Sequence, residues 1–404
     1  MFLKLAWRNI WRNKKRSVII LISIVIGIIA IIFFEALSVG LVNQMLDNQI
    51  SIHTAHIQVH KHGFNDEKLV QNYLPNVEEV VVNLRKINKV KFISRRVISY
   101  GLITTAENSS GILIVGVVPE EERNITKISE YVIEGNYFLK NKNEILISKR
   151  LAKSLGISLN EKIVLLASRV DGKVGSELFR VVGIFQTPNS AFDKSTIYIN
   201  LRDAQEMLGL GNNISEITII STNVNEIMML KENIAHKLGP NYEVLSYREL
   251  IPSLVMQQEM TGSWMLIIYV IIGLAMIFGI INTFLMSVFE RINEFGVLKA
   301  IGMHNRKLFL MIIYEAIFLG ILGSFIGSVL GLTLVIYLSK VGLNFAVFAE
   351  GLSAWGIAAI IYPEVELTGV VKAVIVIIVI SVLASMYPAL KALRLQPVQA
   401  IRHI

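Results

Sequence analysis

The chain has 404 residues, of which 53% are apolar and 17% are charged, with a formal net charge of +8. This composition is too apolar for an ordinary soluble protein and indicates the membrane class. The absence of cysteine excludes a disulfide framework, a thiolate metal site and a cysteine nucleophile.

Four apolar runs are long enough to cross a membrane, since about 20 helical residues span the hydrocarbon core. We predict transmembrane helices at residues 17–40, 263–289, 308–338 and 370–390. The first run is longer than the apolar core of a signal peptide, about 7–15 residues, so it is predicted to be an uncleaved anchor. Glu35, near its outer end, is expected to reach the membrane interface.

Residues 1–16 carry six basic side chains and no acid, together with Trp7 and Trp11. This pattern is typical of an amphipathic segment at the membrane interface. A nucleic-acid partner is not expected, because a membrane span follows the basic segment directly.

Lysine and arginine also outnumber acids in residues 290–307 and 391–404, whereas residues 339–369 have Lys340 as their only basic side chain. Basic residues are enriched in short cytoplasmic segments. We therefore predict a multi-pass protein of the inner membrane, with both tails and residues 290–307 in the cytoplasm. Residues 41–262 and 339–369 would lie outside, and the apolar middle of the second of these segments is expected to dip into the membrane interface.

Residues 41–262 have a mixed, more polar composition in which strand-like and helix-like stretches alternate. Strands are predicted at residues 56–60, 112–117, 163–167, 179–185, 196–199 and 216–220, and helices at 77–88, 149–155, 201–208 and 224–238. Asp171 and Gly172 form a turn signal that predicts a hairpin tip at residues 170–176. The predicted fold is thus four transmembrane helices in a 1+3 layout around a large α+β extracytoplasmic domain.

Four of the seven histidines fall within ten residues: His53, His56, His60 and His62. On a strand, the last three would share one face. A metal site is one interpretation. The polar face of a strand is the simpler one, because no cysteine and no evident carboxylate partner accompany the histidines.

The third span contains four glycines and one acid: Gly320, Gly323, Gly327, Gly331 and Glu315. The last three glycines are spaced by four, which predicts a small-residue face on which another helix packs closely. The alternative is that these glycines are merely tolerated in an apolar span. A carboxylate inside a membrane is costly. Glu315 is expected to pair with a basic residue at the cytoplasmic boundary, with a part in gating as the other possibility.

Residues 290–307 are a charged segment between two spans, with Ile292, Phe295 and Leu298 at roughly helical spacing. The segment is either a solvated connector or a small helix that lies across the membrane surface and docks on a partner. Gly172 and Lys173 do not form an ATP-binding loop, since Val174 follows and the upstream glycine is missing. We therefore expect no enzyme site in the chain and ATP chemistry, if used, on a partner.

These features together resemble the permeases of type VII ABC transporters, the MacB/FtsX superfamily, over nearly the whole chain. The resemblance rests on residues 5–17 (LAWRNIWRNKKRS), the 1+3 layout, residues 290–302 (ERINEFGVLKAIG), the glycine face after Glu315 and residues 387–402 (YPALKALRLQPVQAIR). It implies that 290–302 is a coupling helix docked on a cytoplasmic ATPase dimer, which would hold ATP and magnesium. The implied docking residues are Glu290, Arg291, Glu294, Phe295, Gly296, Leu298, Lys299 and Gly302, with Phe295 and Leu298 as the apolar anchor.

Within this superfamily the outer domain is similar to that of the LolC/LolE lipoprotein-releasing permeases, through residues 144–163 and 179–208. The resemblance implies ATP-driven mechanotransmission, extraction of lipoproteins from the outer leaflet, a second permease copy or sister permease, and a periplasmic carrier. The hairpin at 170–176 is short and lacks the proline of the carrier-recruiting hook, so carrier recruitment is not carried over. A MacB-like efflux permease for peptides or drugs and an FtsX-like signalling mechanotransmitter that transports nothing remain alternatives.

Overall fold

The computed structural model describes residues 2–12, 14–105, 108–139 and 141–393. In chain order the helices are α1 Phe2–Arg12, α2 Lys14–Gln49, α3 Val77–Arg85, α4 Pro119–Glu122, α5 Lys149–Leu155, α6 Ser190–Ser195, α7 Leu201–Leu208, α8 Ile227–Leu238, α9 Tyr247–Leu250, α10 Pro252–Glu290, α11 Ile292–Ala300, α12 Asn305–Val341, α13 Ala349–Ala354 and α14 Leu367–Leu393. A π-helix lies at Ile50–Thr54, and 3₁₀ turns lie at Val224–Glu226 and Ala346–Phe348.

The strands are β1 Ile57–Lys61, β2 Val90–Thr104, β3 Ser109–Val117, β4 Val132–Gly135, β5 Glu144–Ser148, β6 Lys162–Ser168, β7 Val174–Phe185, β8 Thr196–Asn200, β9 Glu216–Ser221, β10 Tyr242–Ser246, β11 Leu343–Asn344 and β12 Ile360–Ile361. The chain divides into two units. The helical unit comprises Met1–Val42, Gln257–Asn344 and Ile360–Ile404, and the mixed unit comprises Asn43–Met256 and Phe345–Ala359.

In the part of the chain that the structure describes, four helices (α2, α10, α12 and α14) are long and apolar enough to cross a membrane. This confirms the predicted 1+3 arrangement around a large α+β domain. Each helix extends beyond its predicted span, because hydropathy marks where hydrocarbon ends and not where a helix ends. Helix α2 continues to Gln49, and α10 begins at Pro252, a residue suited to the first turn of a helix. Of the predicted tail at 391–404, residues 394–404 lie outside the described part.

The mixed unit is built on a ten-stranded sheet in the order β10-β1-β9-β2-β3-β8-β5-β7-β4. Strand β6 pairs with both β2 and β7, which closes a ring of six strands: β2, β3, β8, β5, β7 and β6. Alternate side chains enter opposite cores: Ile145 and Ile147 contribute to one, and Leu146 to the other. Both faces of β5 are therefore covered.

The predicted strands and helices of this domain are present, two helices (149–155 and 201–208) with the predicted bounds and the other elements with at least one shifted end. The hairpin prediction is confirmed. Arg169 donates its backbone N–H to Lys173 at 2.8 Å across a turn in which Gly172 has φ +80°. The 77–88 helix was predicted too long and ends at Arg85. The long strand β2 was missed because Arg95 and Arg96 interrupt its apolar pattern.

Candidate coupling site

The segment between α10 and α12 is mostly helical. Helix α10 ends at Glu290, and α11 begins at Ile292 after the single residue Arg291. Helix α11 ends in a Schellman motif, in which Met303 donates its N–H to Leu298 and Gly302 donates to Lys299, each at 3.0 Å. Gly302 has φ +91°, a conformation that favours glycine. Its observed role is thus to end the helix.

The residues expected to anchor a partner lie inside the chain's own bundle. Phe295 is 2% exposed and packs in the helical core, where the Arg291 guanidinium lies 5.2 Å from its ring centre. Gly296 is also buried, and Leu298 packs partly against the same core. The prediction that Phe295 supplies an apolar anchor for the ATPase is therefore corrected. The exposed apolar residues nearby are Val297, at 49%, and Ile301, at 78%.

A cluster of alternating charges joins α11 to its neighbours. Its members are Arg12 and Arg16 near the start of the chain, Glu290, Arg291 and Glu294 around α11, and Glu315 in α12. These three arginines and three glutamates balance in formal charge. We call this set the charge cluster.

Glu315 is the buried centre of the charge cluster, with 4% of its side chain exposed. It accepts a hydrogen bond from Arg291 Nη1 at 3.3 Å and lies 3.7 Å from Arg16 Nη2. Arg16 also reaches Glu290 at 3.4 Å. The pairing expected for this carboxylate is thus present in the structure, with two partners from different parts of the chain.

Glu294 forms the outer part of the charge cluster and contacts Arg12 and Arg291. Partial burial acts to raise its pKa, but the hydrogen bond from Arg12 and the charge of Arg291 outweigh this effect and lower the pKa. Lys299 donates to the Leu393 carbonyl at 2.7 Å. Charges expected to face a partner are thus engaged within the chain.

The glycine face of α12 packs on α2 of the same chain. A Cβ on Gly327 would lie 2.9 Å from Ile28 Cβ and 3.2 Å from Val25 Cα, tighter than ordinary contacts. Gly323 and Gly331 meet other isoleucines of α2. Gly320 instead faces α14, where a Cβ would lie 3.5 Å from Ser381. The small-residue face therefore holds two spans of one chain together.

Glu35 does not simply reach the interface. Its carboxylate accepts a hydrogen bond from the Tyr269 hydroxyl at 2.6 Å and lies where a Cβ on Gly369 would collide with it. Helices α2, α10 and α14 thus meet at one carboxylate.

The histidines of the mixed unit go to separate partners. His60 Nε2 lies 3.3 Å from Glu216, a carboxylate partner that the sequence analysis did not identify. His56 Nδ1 accepts a hydrogen bond from the Ser221 N–H at 3.0 Å. Burial and the Arg96 charge lower the pKa of His53 to about 4. His56 and His62 lie outside β1. Within the described ranges, no group of three or more histidines and carboxylates could hold a metal ion.

The sequence analysis also missed a buried charge network around Arg96, which is fully buried. Arg96 pairs with Glu122 at 2.6 Å and Glu216 at 3.1 Å, and donates to the His53 carbonyl at 2.6 Å. The carbonyls of Ser51 and Ile52 accept from the Lys127 backbone and the Tyr198 hydroxyl. Three consecutive carbonyls of the π-helix are thereby satisfied within the mixed unit.

Comparison with known proteins agrees with this architecture. Residues 17–236 match the MacB-like periplasmic core domain, and residues 266–397 match the FtsX-like permease C-terminal family. With the four apolar helices, these matches define an ABC transporter permease. The chain belongs to the MacB/FtsX family of such permeases, as the sequence resemblance predicted.

Several relatives are similar over nearly the full chain. The lipoprotein-releasing system transmembrane protein LolC of Buchnera aphidicola is 24% identical, over 98% of this chain and 96% of that protein. The uncharacterized ABC transporter permease YknZ of Bacillus subtilis is 22% identical, over 99% and 98%. The macrolide export ATP-binding/permease protein MacB of Bdellovibrio bacteriovorus is 23% identical, over 98% of this chain and 61% of that protein.

Two solved structures resemble part of the chain. The periplasmic region of MacB from Actinobacillus actinomycetemcomitans is 14% identical and covers 52% of this chain and 97% of that one, with a TM-score of 0.37. The extracellular domain of YknZ from Gram-positive bacteria is 16% identical and covers 47% and 99%, with a TM-score of 0.35.

Proposed function

We propose that this chain is the permease subunit of a lipoprotein-releasing ABC transporter, driven by a separate cytoplasmic ATPase that binds ATP and magnesium. The observation that carries the substrate class is the LolC likeness, which extends over 98% of this chain and 96% of that protein. The separate ATPase is supported by the coverage of the relatives: this chain matches 96% of the transmembrane protein LolC but only 61% of the ATP-binding/permease protein MacB. Efflux of the MacB kind is the second candidate, favoured by the MacB likeness over 98% of this chain.

In this proposal the segment around α11 is the site that receives the ATPase. The docking surface consists of Asn293, Val297, Ala300 and Ile301, all of which are exposed. Val297 and Ile301 supply the apolar anchors, because apolar side chains that become buried usually carry interface energy. Phe295 and Gly296 instead fix α11 to the bundle.

The charge cluster provides the path for mechanical coupling. Glu294 ties α11 to Arg12, and Arg291 ties the start of α11 to Glu315 in α12. Arg16, at the start of α2, reaches the same Glu315. Movement of α11 by the ATPase would therefore pull on two spans through ion pairs, without passing through a flexible linker.

One preparation tests both parts of the proposal. The permease is purified with its ATPase from native membranes, and bound lipids and proteins are identified by mass spectrometry. Acylated proteins bound in the wild-type sample support lipoprotein release. Bound peptides or small export substrates in their place would favour efflux, and a co-purified cell-wall hydrolase would favour signalling.

The docking surface is tested in the same preparation with Ile301→Ser and Val297→Ser. Loss of an anchor of about 2 kcal/mol would weaken ATPase binding by roughly 30-fold. Val341→Ser is the matched control, since Val341 is equally apolar and 58% exposed at the other end of α12. If both docking variants bound the ATPase with wild-type stoichiometry, this segment would be a plain connector and not a docking site.

A further inference from the structure

The loop between β11 and β12 exposes large apolar side chains. Val347 is 93% exposed, Phe348 66% and Trp355 76%. Among the large apolar side chains of the described ranges, Val347 is the most exposed. Single exposed apolar residues are ordinary, but several of them in one short segment indicate an interaction surface. We call residues 346–355 the apolar loop.

Polar contacts hold the apolar loop in place without involving the side chains of Val347, Phe348 and Trp355. Arg150 donates to Ser353 at 3.4 Å, and Asn48 donates to the Gly356 carbonyl at 3.4 Å. Phe345 and Ala359 close the loop with a backbone hydrogen bond of 2.7 Å. These contacts give the loop a defined conformation in which its apolar side chains lie exposed.

The root of the loop lies at the outer ends of two spans. Just after β12, the backbone at Tyr362 packs against Gly40 of α2, and Glu364 donates its N–H to the Ala36 carbonyl at 2.9 Å. On the other side, Val347 follows the last residue of α12 by six residues, which reach at most about 20 Å. The headgroup region begins at the ends of the spans and is about 5–8 Å deep on each side. Chain length thus places the loop within reach of this region.

The chemistry of the loop fits a lipid surface. Tryptophan is favoured at headgroup level, and valine and phenylalanine are favoured deeper in the bilayer. Residues 345–359 contain one charged side chain, Glu350, and no basic residue. Such a surface would bind through insertion of apolar groups and not through attraction to anionic headgroups.

We propose that the apolar loop inserts Val347 and Phe348 into the outer leaflet of the bilayer that holds the spans, with Trp355 at headgroup level. The loop is then a lipid contact made by the mixed unit itself, in addition to the membrane-spanning helices. This proposal depends on the membrane location of the chain and not on which substrate it moves.

The lack of cysteine allows a direct test with single spin labels. The full-length permease carrying Val347→Cys or Trp355→Cys is labelled with a nitroxide and placed in phospholipid nanodiscs. Glu350→Cys is the control, since Glu350 is exposed in the same loop. We expect the label at 347 to be several-fold more accessible to oxygen than to a water-soluble nickel complex, and the label at 350 to show the reverse.

The outcomes separate the occupants. Equal nickel access at 347 and 350 would show a loop in water and overturn the proposal. Loss of access to both reagents would show that protein, such as a second copy, covers the loop, which also overturns it. An unlabelled measurement guards against perturbation by the label. The fluorescence that Trp355 contributes, taken as the wild-type signal minus that of Trp355→Phe, should be quenched by brominated lipids to the same degree in neutral and anionic lipid. A difference signal that brominated lipids leave unquenched would count against insertion.

Discussion

At the residue scale, the stability of the helical unit depends strongly on the buried carboxylate of Glu315. Its carboxylate lies between Arg16 and Arg291, all three nearly buried. Removing one member of a buried ion set leaves uncompensated charge and typically costs about 3–5 kcal/mol. We expect Glu315→Gln to lower the thermal stability of the purified permease markedly.

The matched control is Glu350→Gln, since Glu350 is an exposed acid at the surface. Its change should be within about 0.5 kcal/mol of the wild type. A Glu315→Gln protein as stable as this control would contradict a structural role for the charge cluster and would favour a purely functional one.

The sequence predicted that Glu315 needs a partner, because a carboxylate inside a membrane is energetically costly. It did not identify Arg16 and Arg291, which tertiary folding brings together from separate segments. The same limit explains Glu35, whose partner Tyr269 is on another helix. Arg96 was missed because a charged residue in a predicted strand indicates solvent exposure unless its carboxylate partners are known.

At the element scale, the glycine face of α12 determines how closely α2 can approach. We expect Gly327→Leu to destabilise the single permease chain, since the site of the new side chain is occupied by Ile28 and Val25. Overpacking of this kind typically costs about 1–3 kcal/mol or more. Thermal unfolding of the purified permease in detergent measures the effect.

Gly279→Leu is the matched control, because a Cβ at Gly279 of α10 meets nothing within 4 Å. It adds the same side chain to another span and should leave stability nearly unchanged. If Gly327→Leu changed only the association of two permeases and not the stability of each, the glycine face would belong to an interface between chains.

The case of α11 shows what periodicity leaves open. Apolar residues lie on both sides of this nine-residue helix and its C-cap. Ile292, Phe295 and Leu298 form one set, and Val297 and the C-cap residue Ile301 form the other. Spacing predicted a helix, and the helix is present. It did not distinguish the side that packs on the bundle from the exposed side, because both sides carry large apolar residues.

At the scale of the whole molecule, the mixed unit has its own cores and a closed ring of strands. We therefore expect residues 43–256 to unfold cooperatively when expressed alone.

His53 makes the stability of this unit depend on pH. Its pKa is lowered by burial and by Arg96 to about 4, whereas the unfolded value is 6.5. Since a histidine with a lowered folded pKa must remain neutral to fold, its contribution is complete above pH 6.5 and is lost as the pH falls toward 4.

Asp193 acts in the opposite direction over the same range, since burial raises the pKa of its carboxyl to about 6 and the folded state therefore gains stability on acidification. The comparison must accordingly be made between His53→Gln and the wild type at each pH. From pH 7 to pH 4 the variant should gain up to about 3 kcal/mol relative to the wild type, at about 1.4 kcal/mol for each unit of pKa shift. Urea unfolding of residues 43–256 measures this difference, and His236→Gln, at an exposed position of α8, should follow the wild type. Parallel curves for His53→Gln and the wild type would show that His53 takes up its proton in the folded protein as readily as in the unfolded chain.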